Sequence, residues 1–254
     1  METIISRTLS VHAEHELLLK LEKAGITQDL ATRVITSKDN DLAAKIIHLI
    51  QNGGFDPSTS QKRAREIMGK NFFGIEEAIK HFGVNASKQQ TAALSEVPFT
   101  EADLEECKNT HVLIAVFTLS ILEVRGKMTS KLFYDQSWYN KESFAKDRGD
   151  VSWQLVLKTP VKNSTSKTWQ EQRALLSEKE ETPTARVMVY TIIGHFLATG
   201  ERLFENIFFR CSDVVSNGVR VLVGDFGARG LGVVGSWGSD HDDNLGMAAA
   251  RKFD

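Results

Sequence analysis

The sequence predicts an α+β protein, and three observations lead to that prediction. Residues 1 to about 94 carry apolar side chains at helical spacing, interrupted by capping residues and glycines. A continuous apolar run from His111 to Phe117 is typical of a buried strand, and two helical segments follow it. Several short strands with glycine-rich turns come after the helices. This order of strand, helices and short strands is expected of an α+β domain.

Residues 1–94 are predicted to form a helical domain. The first helix stops at Gly25, Thr27 is placed to cap the second, and a third opens at Asp39 or Asn40. Apolar stripes of this kind are typical of the core of a helix bundle. We therefore interpret this region as a docking or interaction domain.

One part of the helical region suggests a more specific function. Residues 74–84 resemble the first helix and turn of helix-turn-helix modules, and residues 87–94 would form the helix that follows. The small residue usual four positions before the turn glycine is Ile79 here, and Lys88 is the only cation in the second helix. Phosphate contacts need more positive charge than this. A protein-docking role is favoured over DNA binding.

Residues 95–254 are predicted to form the second domain. Pro98 marks its start, and Thr100 with Asp103 fits a helix N-cap. Residues 152–158 alternate as a strand, while residues 120–126 fit either a helix or a loop. The two predicted helices run from Trp169 to Leu176 and from Pro183 to Leu197 or Ala198.

Charge and composition argue against several protein classes. The formal net charge is −2, whereas a nucleic-acid-coating protein usually carries a basic excess. No apolar run reaches membrane-spanning length, and the N-terminus lacks the pattern of a secretory signal. Cys107 and Cys211 are the only cysteines, and without an export signal two buried thiols are favoured over a disulfide. We expect no membrane contact.

Sequence motifs for catalysis or metal binding are absent. The chain has no nucleophile elbow, phosphate-binding loop or zinc signature. Asp240, Asp242 and Asp243 do not complete the D-x-[DN]-x-[DN]-G pattern of a calcium loop. We therefore expect no catalytic residues, no metal and no cofactor.

The stretch from Cys211 to Gly246 has an unusual composition. It contains 8 of the 18 glycines, and Val219, Val221 and Val223 alternate with other residues as in a strand. Of the 254 residues, 46 are Lys, Glu or Gln, yet none of these lies in this stretch, and neither does Met. Burial alone does not explain this exclusion of residue types, which we call the composition filter, because five Asp, two Arg and one His remain.

The genetic code accounts for such a filter. Randomising the first two bases of an AAC codon gives products that include Asn, Asp, Ser, Gly, Ala, Val, Leu, Arg and His, but never Glu, Gln, Lys, Met or Trp. The surrounding framework is RCSD (210–213), GDF (224–226), GL (230–231), Trp237 and NLGMAAARKF (244–253). This framework resembles the C-terminal variable region of diversity-generating retroelement variable proteins, and the resemblance covers roughly residues 95–253.

The resemblance implies a C-type-lectin-like fold, related to that of formylglycine-generating enzymes, with a small antiparallel sheet and two flanking helices. Adenine-mutagenised residues would form its ligand-binding surface. Four glycines would fix turns, namely Gly218, Gly224, Gly230 and Gly246. Six residues would fill the core, namely Val221, Val223, Phe226, Leu231, Val233 and Trp237. The candidate ligand-binding residues, from alternation together with the resemblance, are Val215, Asn217, Val219, Leu222, Asp225, Gly227, Ala228, Arg229, Gly232, Val234, Gly235, Ser236, Gly238, Ser239, Asp240, His241 and Asp242.

The function implied is ligand binding of a receptor or adhesion type, without catalysis, and the expected ligand is a protein or another macromolecule. Such a chain would reside in the cytoplasm or on a virion. The candidate surface is poor in the aromatic anchors of tight interfaces. Two alternatives stay open: an oxidase or other enzyme on the same fold, and a nucleic-acid or protein adaptor acting through the N-terminal helices. Formylglycine-generating enzymes hold copper through cysteines, and neither cysteine here lies in that family's catalytic context.

The end of the sequence is predicted to be a framework strand. Met and Lys reappear in residues 244–253, so the composition filter stops there. Small residues alternate with Leu245, Met247 and Ala249, as in a strand that is crowded on both faces. We expect this strand to pair with the apolar strand at residues 112–117.

Overall fold

The structure is a computed structural model that describes residues 10–37, 42–43, 46–47, 50 and 58–252. The chain divides into two compact units, Met1–Asp56 and Pro57–Asp254. Among the described residues, no helix combines the length and the apolar character needed to cross a membrane.

The first unit contains two described helices, α1 (Val11–Lys23) and α2 (Gln28–Ile35). The hydroxyl oxygen of Thr27 accepts a hydrogen bond from the Leu30 amide, so the predicted cap of α2 is confirmed. Residues 42–43, 46–47 and 50 are helical, as predicted for the third helix, whereas its predicted start at Asp39 or Asn40 lies outside the described residues.

The second unit begins well before the predicted boundary at residues 94 and 95. Residues 61–94 form three helices, and Ala64, Ala78, Phe82 and Leu94 are buried in the same core as the strand at residues 111–116. The periodicity of an amphipathic helix shows which face is apolar but not which element covers that face. Here the later sheet covers it, so the structure divides the chain at 56 and 57.

The second unit is mixed α and β. Its helices are α3 (Gln61–Met68), α4 (Ile75–Phe82), α5 (Lys88–Ala93), α6 (Glu101–Cys107), α7 (Ile121–Lys127), α8 (Ser143–Lys146), α9 (Trp169–Arg173) and α10 (Ala185–Thr199). Its strands are β1 (Thr59–Ser60), β2 (Phe72–Phe73), β3 (Glu96–Val97), β4 (His111–Val116), β5 (Ser152–Leu157), β6 (Glu180–Glu181), β7 (Phe208–Val214), β8 (Arg220–Gly227), β9 (Gly230–Ser236), β10 (Leu245–Met247) and β11 (Ala250–Arg251).

A five-stranded sheet in the order β2-β4-β5-β11-β6 forms the centre of the second unit. Every residue of β4 is buried, as predicted for a central strand. Helix α10 packs on this sheet, and its Gly194 lies against Phe73 and Ile114. Thr184 caps the start of α10, and Gly200 ends it with a left-handed backbone. The helix therefore begins two residues after Pro183, because the chain is still extended at Thr184.

A four-stranded sheet in the order β10-β7-β8-β9 carries most of the candidate ligand-binding stretch. Its inner face joins the main core through Phe209, Val223 and Val233. Strands β7, β8 and β9 are antiparallel, whereas β10 runs parallel to β7. The central sheet also contains one parallel pair, β2 with β4. The prediction of a small antiparallel sheet therefore fits in part: β7, β8 and β9 are antiparallel, and so are β4, β5, β11 and β6, but each of these two sheets also contains one parallel pair.

The last described residues form two short strands in different sheets, so the predicted pairing of residues 244–253 with residues 112–117 is wrong. Strand β11 pairs with β5 and β6, and β5 separates it from β4. Strand β10 pairs with β7 instead. The predicted framework character is confirmed, since residues 245–250 are all buried. Burial could be read from the small residues, but the partner strand could not.

Candidate ligand-binding surface

The predicted alternation of the sheet is confirmed at five of the six core positions. Val221, Val223, Phe226, Leu231 and Val233 are fully buried. Trp237 is not, because 54% of its surface is exposed. Strand β9 ends at Ser236 and the chain then turns, so the two-residue period of the strand no longer applies at position 237.

The structure places the seventeen candidates in two groups at opposite ends of β8. The strand spans seven residue steps, which is roughly 23 Å at the usual rise per residue. The turn patch lies at the β8–β9 turn and comprises Asp225, Gly227, Ala228, Arg229, Gly232 and Val234. The loop patch lies at the other end and comprises Val215, Asn217, Val219, Gly235, Ser236, Gly238, Ser239, Asp240, His241 and Asp242. Leu222 lies between the patches.

Three candidates are buried, which contradicts their predicted exposure. Leu222 is 5% exposed and lies between Arg210 and Val234 in the sheet register. Val215 belongs to the main core, where its amide donates to the carbonyl of Val219. Gly232 lies under the ring of Phe208. Alternation along a strand identifies the outer face but not the segments that cover that face.

The other candidates reach the surface wholly or in part. The exposed candidates are Asn217, Ala228, Arg229, Gly235, Ser239, His241 and Asp242. The half-buried ones are Val219, Asp225, Gly227, Val234, Ser236, Gly238 and Asp240.

The turn patch contains a small cavity of about 180 Å³. Tyr134 and Phe208 contribute aromatic walls, and Asp225, Arg229 and Val234 complete the lining. The Arg229 guanidinium lies 3.2 Å from the Asp225 carboxylate and 5.4 Å from the centre of the Tyr134 ring. The cavity therefore offers both apolar surface and an ion pair to a ligand.

Residues 133–138 supply two exposed aromatic side chains next to the turn patch. The Tyr134 amide donates to the Leu231 carbonyl at 3.0 Å, and the Trp138 indole Nε1 donates to the Val233 carbonyl at 2.8 Å. These bonds cover the outer edge of β9. They also leave Tyr134 and Trp138 about 40% exposed beside the turn patch. Together with Trp237 of the glycine-rich stretch, they give the surface exposed aromatic side chains.

The loop patch is closed by its own side chains. The Asp240 carboxylate accepts hydrogen bonds from the Trp237 amide at 2.8 Å and from the Ser236 hydroxyl at 2.6 Å. The candidates Ser236 and Asp240 therefore stabilise the turn from 237 to 240. Ser239 and His241 stay exposed on the outside of this turn.

Arg210 holds the loop patch from below, and sequence reasoning missed it. Its guanidinium is fully buried and donates to the carbonyls of Lys167, Trp237 and Asp240 and to Oε1 of Gln172. Burial lowers the pKa of Arg210, and the nearby Asp240 carboxylate partly offsets this effect. A buried charge needs such partners. An arginine within the apolar run Phe208-Phe209-Arg210-Cys211 was the available signal.

Backbone carbonyls carry most of the contacts between the candidate loops and the rest of the unit. The Trp169 amide donates to the Gly238 carbonyl at 2.9 Å, and the Ser166 amide donates to the Asp242 carbonyl at 3.0 Å. At the turn patch, Arg202 Nη1 donates to the Gly227 carbonyl at 2.7 Å. Every residue type has this acceptor. These contacts therefore survive a change of side chain at the candidate positions.

Four glycines of the stretch differ in how much space a side chain would have. Gly224 and Gly230 have positive φ, and a Cβ would meet backbone atoms of residues 207–208 at the first position and of Phe133 at the second. A Cβ at Gly227 or Gly238 would be 3.6 Å from its nearest neighbour, an ordinary contact. The predicted framework glycines Gly224 and Gly230 therefore cannot be replaced freely, whereas two candidate glycines can accept a side chain.

The two cysteines lie in apolar surroundings. Burial raises the pKa of the Cys107 thiol to about 11 and also raises that of Cys211. The thiolate is the form that attacks substrates and binds metals, and burial disfavours that form for both groups. Within the described part of the chain, no three His, Cys, Asp or Glu side chains come together as metal ligands.

Comparison of this chain with family models, with curated proteins and with solved structures gives no match. The resemblance to retroelement variable proteins is therefore a prediction that depends on the sequence motifs described above.

Proposed function

We propose that this protein binds a macromolecular ligand, in the first instance a protein, through a lectin-like unit whose surface a retroelement diversifies. The observation that supports the proposal is how the candidate loops are held. Trp138, Trp169, Arg202 and Arg210 bind the backbone of the stretch, and all four lie outside the seventeen candidate positions. The fold can therefore stay constant while the exposed side chains change.

The size of the surface supports a macromolecule as the ligand. The cavity within the turn patch is about 180 Å³, which is below the roughly 300–1,000 Å³ typical of small-molecule sites. The far ends of the two patches lie roughly 23 Å apart along β8. That separation suits a protein interface of about 800 Å² per partner. Tyr134, Trp138 and Trp237 would supply its aromatic anchors.

A pair of libraries tests the proposal that the surface is variable. The first library randomises Asn217, Ala228, Arg229, Ser239 and His241 with the residue set that AAC codons produce. The matched control library places the same residue set at the five buried core positions 221, 223, 226, 231 and 233. We expect most members of the first library and few of the control to unfold cooperatively on heating. Equal survival in the two libraries would contradict the proposal.

The DNA around this gene tests diversification separately from ligand binding. We expect a reverse-transcriptase gene nearby and a template repeat that matches the end of this gene except at adenines. If neither is found while the first library still yields binders, the protein is a binding protein without a retroelement.

A further inference from the structure

A basic pocket lies beside the loop patch, and no ligand-binding role was assigned to it from the sequence. It has a volume of about 500 Å³ and is formed by α9, β6 and the start of β8. Its charged residues are Arg173, Arg220, Lys252, Glu180 and Glu181. None of the seventeen candidate positions contributes to its lining. The pocket therefore does not depend on the candidate positions, although Ser212 and Arg220 lie within the Cys211–Gly246 stretch.

Two arginines in this pocket are not neutralised by a carboxylate. The Arg220 guanidinium stacks 3.7 Å from the centre of the Trp169 ring, and its Nη1 donates to the Ser212 carbonyl at 3.2 Å. The Arg173 guanidinium is 5.9 Å from the same ring. In the part of the chain that the structure describes, neither arginine forms an ion pair. Burial, and after it the charge of Arg173, lowers the pKa of Arg220, so an anion bound between the two arginines would offset their mutual repulsion.

The other charges of the pocket indicate which anion fits. The Glu180 carboxylate accepts hydrogen bonds from the amide and hydroxyl of Ser177, and the Lys252 ammonium donates to the Glu178 carbonyl. Three cations and two carboxylates leave a formal charge of +1. A single carboxylate balances this charge, whereas a phosphate group carrying about −1.5 to −2 exceeds it. Trp169 and Leu176 add apolar surface for the methylene groups of a Glu side chain.

We propose that the basic pocket binds a side-chain carboxylate from an acidic peptide segment. The stacking on Trp169 holds the Arg220 fork in place, so that it can donate two parallel hydrogen bonds to the carboxylate. Arg173 approaches the same carboxylate from the other side. Glu181 opposes the ligand and limits its affinity.

Isothermal titration of the full chain with hexaglutamate tests the proposal, and hexaglutamine and inorganic phosphate serve as comparison probes. We expect Arg220→Gln and Arg173→Gln each to weaken hexaglutamate binding roughly tenfold. Glu181→Gln should strengthen binding about threefold, because it removes a repelling charge. Arg229→Gln removes the same charge at the opposite end of β8 and should change the affinity by less than about twofold.

Three outcomes would overturn the proposal. The first is no binding of hexaglutamate to the parent protein, and the second is equal weakening by Arg229→Gln, which would indicate only general attraction. The third is tighter binding of phosphate than of hexaglutamate, which would assign the pocket to phosphate groups. If Arg220→Gln does not fold, Arg173→Gln decides, because the Arg173 side chain is exposed. The libraries described above do not alter this pocket, so the two proposals can fail separately.

Discussion

The inner face of the four-stranded sheet and the loops at its ends are held by different kinds of contact. On the inner face, Val221, Val223 and Val233 are buried side chains that pack on the core. At the ends, Arg210, Arg202 and Trp169 bind carbonyl groups of the loops. Packing depends on the shape of each side chain, whereas a carbonyl group is the same in every residue. Neighbouring positions in one sequence stretch can therefore differ sharply in their tolerance to mutation.

The largest expected effect is that of deleting residues 245–254. The deletion removes β10 from one sheet and β11 from the other, and it exposes ladder groups of β5, β6 and β7. We expect no cooperative thermal transition by circular dichroism. Replacing residues 239–243 with a Gly-Ser segment of equal length is the control and should leave the transition in place. A truncated chain that melts at the parent temperature would show that neither strand is needed.

The second prediction concerns the buried arginine under the loop patch. Arg210→Met leaves three carbonyls and the Gln172 amide oxygen without their donor, which should lower the free energy of unfolding by about 3 kcal/mol. Arg229→Met removes an exposed ion pair and should cost less than about 1 kcal/mol. Urea denaturation measures both. Equal costs would mean that Arg210 does not hold the loops.

The third prediction uses pH to probe the central sheet. Burial is the main cause that lowers the pKa of His111 to about 4. Its folded pKa is below its unfolded value, so the unfolded chain binds more protons and stability falls as the pH drops. Between pH 7 and pH 5 the parent protein should lose about 2 kcal/mol more than His111→Gln does. Urea denaturation at both pH values measures these losses, and His241→Gln, which removes an exposed histidine, is the control. If the parent protein loses no more stability than His111→Gln does, the assignment is contradicted.

The smallest expected effects lie on the loop patch. Exposed substitutions usually change stability by less than about 0.5 kcal/mol, so Ser239→Tyr and His241→Asn should hardly shift the melting temperature. Ser236→Ala breaks the hydrogen bond to Asp240 and should cost about 1 kcal/mol. Trp237→Ala should behave like the exposed changes, since its side chain is half exposed. A cost of about 3 kcal/mol for Trp237→Ala would restore the core role that the alternation predicted.

Local signals in the sequence predicted most of the elements of the second unit. The capping pair Thr100 and Asp103 begins α6, and its hydroxyl and carboxylate both bond as predicted. Gly200 ends α10, and the apolar run at residues 111–116 is the buried strand β4. Caps and periodicity are properties of a few adjacent residues, so one sequence is enough to recognise them.

Long-range features could not be predicted in this way. The alternation of side chains along β8 correctly assigned Leu222 to the outer face, but its burial depends on segments that are distant in the sequence. Trp138 donates to the carbonyl of Val233, which is 95 positions away in the sequence, and helix or strand periodicity does not predict contacts at that separation. The partner of the last strand was wrong for the same reason. Of the candidate site, the sequence therefore predicted the exposed loops better than the residues that hold those loops.

The in-register pairing of β10 with β7 has a consequence for how this protein can evolve. Leu245 faces Phe208 and Met247 faces Arg210, while β11 keeps its own register with β5 and β6. A single codon inserted or deleted within β10 would require either a bulge or a slip, and a slip by one residue turns each side chain to the opposite face. Under the retroelement mechanism proposed above, base exchange at adenines would keep the reading length constant. The proposed mechanism would therefore vary the surface by substitution and leave the register of β10 with β7 unchanged.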